Sequence, residues 1–298
     1  MQALYALRSE EGKSLRLGDA QRLLTKHFDQ TLSLFTWMLY VLVEVARYAE
    51  TDAHTRASKH RPSPEDLSVP TKISGNELLW KIRESSFYKE AVATFKPRLE
   101  DNDDWVKKLY VMLSESTPYA VYNAEQGRDK KSEREILEFI FTDLMLANED
   151  FTDSAEYQYT NWDDDADMLR LLLLNLLQKP NSYTIDEMLN REKREFARLL
   201  LETTEERKEQ LDELIKPKLR NWDADRIASI DMILMEMGTC EFLYFDTIPI
   251  KVTINEYIDL AKEYSTPQSG QFVNGILDNI RKDLEAGDGL NKVAYKKA

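Results

Sequence analysis

At 298 residues, with 42% apolar and 32% charged side chains, the chain has the composition of a soluble globular protein, one large domain or two ordinary ones. Nine Gly and nine Pro leave little turn punctuation, which argues against many short strands and for long helices. The net charge of −14 is uneven: residues 101–170 hold 18 Asp and Glu against 7 Lys and Arg, leaving about −3 on the other 228 residues, so the acidity does not exclude nucleic-acid binding elsewhere. The single Cys240 excludes an intrachain disulfide and makes a cytoplasmic address the default. In its helical apolar setting it is expected to be a buried, inert thiol. The leucine-rich run Leu169 to Leu177 is interrupted by Arg170 and Asn175, and no membrane span or signal peptide is expected.

In chain order, the periodicity is helical almost throughout. Ala3-Leu-Tyr-Ala-Leu7 opens the chain, and Lys13 to Gly18 reads as a short loop. From Ala20 to Ala49, Leu23, Leu24, Phe28, Leu32, Phe35, Met38, Leu42 and Val45 recur by threes and fours, predicting a long helix. His54 to Pro70 holds three prolines and reads as a connection. Further helices are predicted at about 73–84, 86–97, 101–116, 131–148 and 163–178. In the last, Met168, Leu171, Leu172, Leu174 and Leu176 make an apolar face wide enough to be buried against several neighbours. Pro180 to Thr184 breaks the pattern, and a long helix follows at about 185–216.

The last third carries clearer local signals. Asp223, after Trp222, can cap a helix with Ile227, Ile230, Ile233, Leu234 and Met237 on one side. Thr253 and Glu256 have the spacing of a capping box, with Val252 and Tyr257 as a hydrophobic staple. Ser265 or Thr266 can cap the next helix, with Pro267 in its first turn. That helix includes Gly275, where glycine costs roughly 1 kcal/mol relative to alanine. A side chain at Gly275 is therefore expected to obstruct a second backbone, or RNA.

Motifs for catalysis are absent. The nine glycines form no dinucleotide or P-loop pattern, and there is no GxSxG or HExxH. His27, His54 and His60 lack ligand spacing, and Asp163-Asp-Asp-Ala-Asp167 lacks the glycine and final glutamate of a calcium loop, so it reads as an acidic helix start. No cofactor, no metal and no enzyme activity are expected.

Four pieces in order, Trp222-Asp-Ala-Asp-Arg-Ile-Ala-Ser-Ile-Asp231, Ile248-Pro-Ile-Lys-Val-Thr-Ile-Asn-Glu256, Leu260-Ala-Lys262 and Phe272-Val-Asn-Gly-Ile-Leu-Asp278, resemble the NusB family of transcription antitermination factors. Gln2-Ala-Leu-Tyr5 is similar to the family's first helix, and Phe196 to Leu219 to the helix before the motif. The resemblance implies an all-α fold: a NusB-like bundle of two helical subdomains, here with an extra helical insertion. The expected domains are 1–180, a helical region with the first helix and the acidic insertion; 181–285, the carboxy-terminal bundle; and 286–298, a tail.

The resemblance further implies an adaptor that binds boxA RNA together with the ribosomal protein NusE, within the RNA polymerase antitermination complex that reads ribosomal RNA operons. The family's arginine-rich arm precedes the Gln-Ala-Leu-Tyr helix. Met1 stands there in this chain, so either a segment further upstream, the favoured reading, or RNA binding with fewer phosphate contacts is expected.

Gln2, Tyr5 and Arg8 of the first helix, with Gln268, Ser269, Gln271 and Phe272 before and within the last, are the expected RNA-facing residues. Tyr5 and Phe272 serve equally well as core, and Gln268 and Ser269 as helix caps. Asp231, Glu236 and Glu241 are expected to contribute to the partner interface, or else to lie on a solvated helix face. A methyltransferase accessory role is disfavoured, because no cofactor domain follows the module. An acidic helical scaffold that binds proteins, with little or no RNA binding, is the alternative.

Overall fold

A computed structural model describes residues 1–9, 16–99, 105–180, 191–219 and 227–287. Among these residues there are fourteen α-helices and no strand. They form two compact units, one of residues 1–26 with 191–298 and one of residues 27–190. The opening residues thus join the carboxy-terminal part of the chain.

The 27–190 unit is organised on the long helix α2 (Leu17–Ala57). From Leu34 to Ala46 this helix is buried on nearly every side, as a helix that is apolar all round should be. Contrary to the expectation of no membrane span, it contains a stretch long and apolar enough to cross a membrane; 72% of that stretch is buried inside the protein, as in a core helix. Around it lie α3 (Glu77–Glu84), α4 (Ser86–Phe95), α5 (Trp105–Glu115), α6 (Thr117–Ala124), α7 (Lys130–Phe139), α8 (Glu149–Gln158) and α9 (Trp162–Gln178). Trp37 is the aromatic centre. Its ring stacks on Phe151 with centroids 5.1 Å apart and meets Trp105 and Tyr159 at 6.1 and 5.6 Å.

Side-chain caps set the short helices. Asn76 accepts from the Leu79 amide, Ser85 from Tyr88, Ser116 from Tyr119 and Asn148 from Phe151. Ser116 with Pro118 therefore starts α6, and Asn148 starts α8; periodicity alone revealed neither helix. The helix expected over 131–148 is α7 followed by a π-helical turn, Ile140–Met145, which rotates Ile140, Phe141, Leu144 and Met145 all into the core. On α9 the expected burial is only half realised. Leu169, Leu173, Leu176 and Leu177 are buried, whereas Met168 and Leu171 are exposed, because neighbours cover one side of the helix only.

The other unit contains α1 (Gln2–Arg8), the first turns of α2, α10 (Arg191–Glu206), α11 (Lys208–Ile215), a 3-10 turn (Lys216–Leu219), α12 (Ser229–Tyr244), α13 (Ile250–Tyr264) and α14 (Ser269–Ala286). The long helix expected over 185–216 breaks at Arg207, between α10 and α11. The expected cap at Asp223 lies outside the described residues. Helix α12 is buried on all sides, with α1, α10, α11, α13 and α14 packed around it. At Gly238 a Cβ would come within 3.0 Å of both Leu277 methyls and 3.3 Å of the Tyr257 ring, so glycine lets α13 and α14 close on α12.

Gly275 is different. It is exposed, and no atom lies within 4 Å of where its Cβ would stand, so the expected obstruction of a second backbone does not occur. Gly275→Ala is accordingly expected to raise stability by up to about 1 kcal/mol, read as a higher urea midpoint. A lower midpoint would contradict that reading.

Candidate nucleic-acid and partner interface

The three carboxylates on α12 are spaced five residues apart, and each such step turns the helix by about 140°. Asp231, Glu236 and Glu241 therefore point at three different neighbours, and all three are buried. Asp231 accepts a 2.8 Å hydrogen bond from the Ser269 hydroxyl at the start of α14. Glu236 accepts from the Arg8 guanidinium of α1, which also donates to Glu205 at 2.9 Å. Glu241 accepts from Thr253 at 2.8 Å and from the Tyr257 hydroxyl at 2.7 Å, both on α13. Each carboxylate fastens one surrounding helix to the central one.

These three expected partner-facing side chains are thus placed inside the unit and bonded inward, not on a solvated helix face. Burial pushes the Glu236 carboxyl up, with Arg8 opposing, and holds the Tyr257 phenol well above its ordinary value, with Glu241 as the second cause. Cys240 is buried, and that burial pushes its thiol up to about 11. It is an unreactive thiol at neutral pH.

The box expected at Thr253 is also replaced. Helix α13 begins at Ile250 with Pro249 at its N-cap, so Thr253 lies inside the helix and is spent on Glu241. Val252 is exposed while Tyr257 is buried, and they form no staple. A pattern four residues long read as a start because Thr253, one of its two polar members, really serves a tertiary bond.

The expected RNA-facing residues separate into two groups. Gln2, Gln268 and Gln271 are exposed, and Tyr5 keeps 47% of its surface in solvent. Arg8, Ser269 and Phe272 face inward instead. Arg8 is spent on Glu236 and Glu205, Ser269 on Asp231 and the Ser265–Thr266 hydroxyls, and Phe272 packs on the core. An open groove of about 930 Å³ runs beside α1, α11 and the start of α12, walled by Tyr5, Arg8, Lys208, Ser229, Met232 and Glu236. Ser269 meets α12 at Asp231, while Arg8 of α1 meets it at Glu236, so α1 and the start of α14 each touch the first half of α12 on a different side.

Two cations were not among the expected residues. Lys208 lines the groove, but it lies in the acidic run Glu205-Glu-Arg-Lys-Glu209, where composition gave no signal. Lys262 lays its stem over Gly270, whose Cβ would meet Lys262 Cγ at 3.0 Å, beside the first turn of α14. An exposed tyrosine offers a stacking face, amide side chains offer base-edge donors and acceptors, and lysines offer phosphate contacts.

Such a unit is a helical bundle with its buried carboxylates spent on internal bonds. Comparison with known proteins narrows this. The NusB family matches residues 155–282. Transcription antitermination protein NusB of Salinibacter ruber is 46% identical over 99 residues, which are 33% of this chain and 62% of that protein. The NusB of Bacillus subtilis is 39% identical over 102 residues, covering 34% of this chain and 78% of that protein. A solved structure of T. maritima NusB is 40% identical, with 33% of this chain and 69% of that chain covered and a TM-score of 0.31. The chain belongs to the NusB family. It spans 62% of the length of the Salinibacter ruber and Bacillus licheniformis relatives.

Proposed function

We propose that this protein is a transcription antitermination factor that binds boxA RNA together with the ribosomal protein NusE and acts, without catalysis, in the RNA polymerase complex that transcribes ribosomal RNA operons. Family membership carries the reading, through 39% identity along 78% of a relative named for antitermination. The exposure of Gln2 and Tyr5 on α1, and of Gln268 and Gln271 at the start of α14, supports an RNA-facing edge made by those two helices. Arg8, Ser269 and Phe272 support that edge from beneath, and Asp231, Glu236 and Glu241 hold its helices in place.

Titration of labelled boxA RNA tests the edge. Tyr5→Ala is expected to weaken binding about tenfold, the loss of one base–aromatic stack. Gln268→Asp is expected to weaken it several-fold at low salt and less at high salt, since it sets a charge against phosphate. Unchanged affinity in both variants would remove this edge from the RNA site.

A further inference from the structure

The outward side of the α8–α9 hairpin lies mostly within the residues 155–282 that match the NusB family, and the RNA edge proposed above does not use it. Two features of it do not fit an ordinary solvated surface. Met168 and Leu171, one turn apart on α9, are 44% and 60% exposed, and Tyr157 on α8 is 80% exposed. Residues 149–178 also carry eight Asp and Glu against one basic residue, Arg170. Helical geometry puts Asp164, Asp167, Met168 and Leu171 along one stripe, opposite buried Leu169, Leu173 and Leu176.

We propose that the α9 stripe of Met168 and Leu171, with its flanking aspartates, is a docking surface for a basic, amphipathic segment of a protein partner. Charge decides among the occupants. Nucleic acid would be repelled by a hairpin of net charge −7. A second copy would bring the same acidic face, or another part of a 27–190 unit whose net charge is −12. A segment with apolar side chains and lysines or arginines matches both features: its apolar groups cover Met168 and Leu171 while its cations meet the carboxylates. The surface belongs to the 27–190 unit and is independent of the RNA edge proposed above.

The test uses the whole protein and a fluorescent helical peptide of leucine and lysine, with a leucine–glutamate peptide as its counterpart. The wild-type protein is expected to bind the lysine peptide in the micromolar range and not the glutamate one. The double variant Met168→Gln/Leu171→Gln and the single variant Asp167→Lys should each weaken binding about tenfold, at an unchanged thermal midpoint, because these side chains are exposed. Equal binding by wild type and variants, or no binding at all, would overturn the proposal. So would self-association in sedimentation that Leu171→Gln abolishes, or a short single-stranded RNA whose binding depends on Met168 and Leu171.

Discussion

Arg8→Met is expected to destabilise the protein by about 3–5 kcal/mol at neutral pH, because it leaves the Glu236 carboxylate buried without its cation. Methionine keeps much of the arginine stem's volume, so the loss reports the charge. The deficit should also depend on pH. Burial raises the Glu236 carboxyl above its ordinary 4.5, and Arg8 is what opposes that rise. A carboxyl raised on folding contributes stability that is fully present below the unfolded value and is lost as pH climbs through the folded one. Without Arg8 the folded value moves further up, so this loss extends over a wider window above 4.5. Urea unfolding at pH 5.0 and 7.5 should show the smaller deficit at pH 5.0. Equal deficits at both values, or a deficit below about 1 kcal/mol, would contradict the buried pair. Reduced RNA affinity in an Arg8 variant must be read against this effect, since the residue holds α1 to α12.

Trp37→Ala is expected to cost about 3–5 kcal/mol, confined to the 27–190 unit. Trp37 is fully buried, touches three aromatic rings, and donates its indole N–H to the Arg98 carbonyl at 3.2 Å. Removing it leaves a large cavity that Phe151, Trp105 and Tyr159 are too constrained to fill, and an acceptor without its donor. The apolar cluster around α12 contains none of these residues. Amide exchange should therefore accelerate in α2, α5 and α8, while α12, α13 and α14 keep their protection. Faster exchange throughout α12 would mean that the two cores unfold as one.

Which parts of this protein the sequence could disclose follows from the range over which each signal acts. Helical class, α2 and the apolar side of α14 (Val273, Ile276, Leu277, Ile280) are local and periodic, and the structure agrees with them. The family pieces between Ile248 and Asp278 likewise combine into a specific signature. Tertiary partners are not periodic. Asp231, Glu236 and Glu241 look like surface acids until Ser269, Arg8 and Tyr257 arrive from 38, 228 and 16 residues away. Thr253 imitated a cap because the same hydroxyl that can bond a helix amide instead reaches Glu241. Gly275 stands out as a breach of helix propensity, yet the glycine packed against two neighbouring helices is Gly238, in a helix so uniformly apolar that its position carries no periodic signal. Of the residues expected to face RNA, Gln2, Tyr5, Gln268 and Gln271 stand exposed. Lys208 and the inward turn of Arg8 were not legible in the sequence, because both depend on how α1 and α11 meet α12.

The central claim is recognition of one RNA sequence by this protein with its ribosomal partner. Its most direct test is an affinity measurement, at fixed salt, of the full-length protein mixed with NusE against a short boxA RNA and against a scrambled RNA of equal length and composition. The complex is expected to be at least tenfold tighter on boxA, with NusE strengthening it. Equal affinity for the two RNAs, in the presence of NusE, would contradict it.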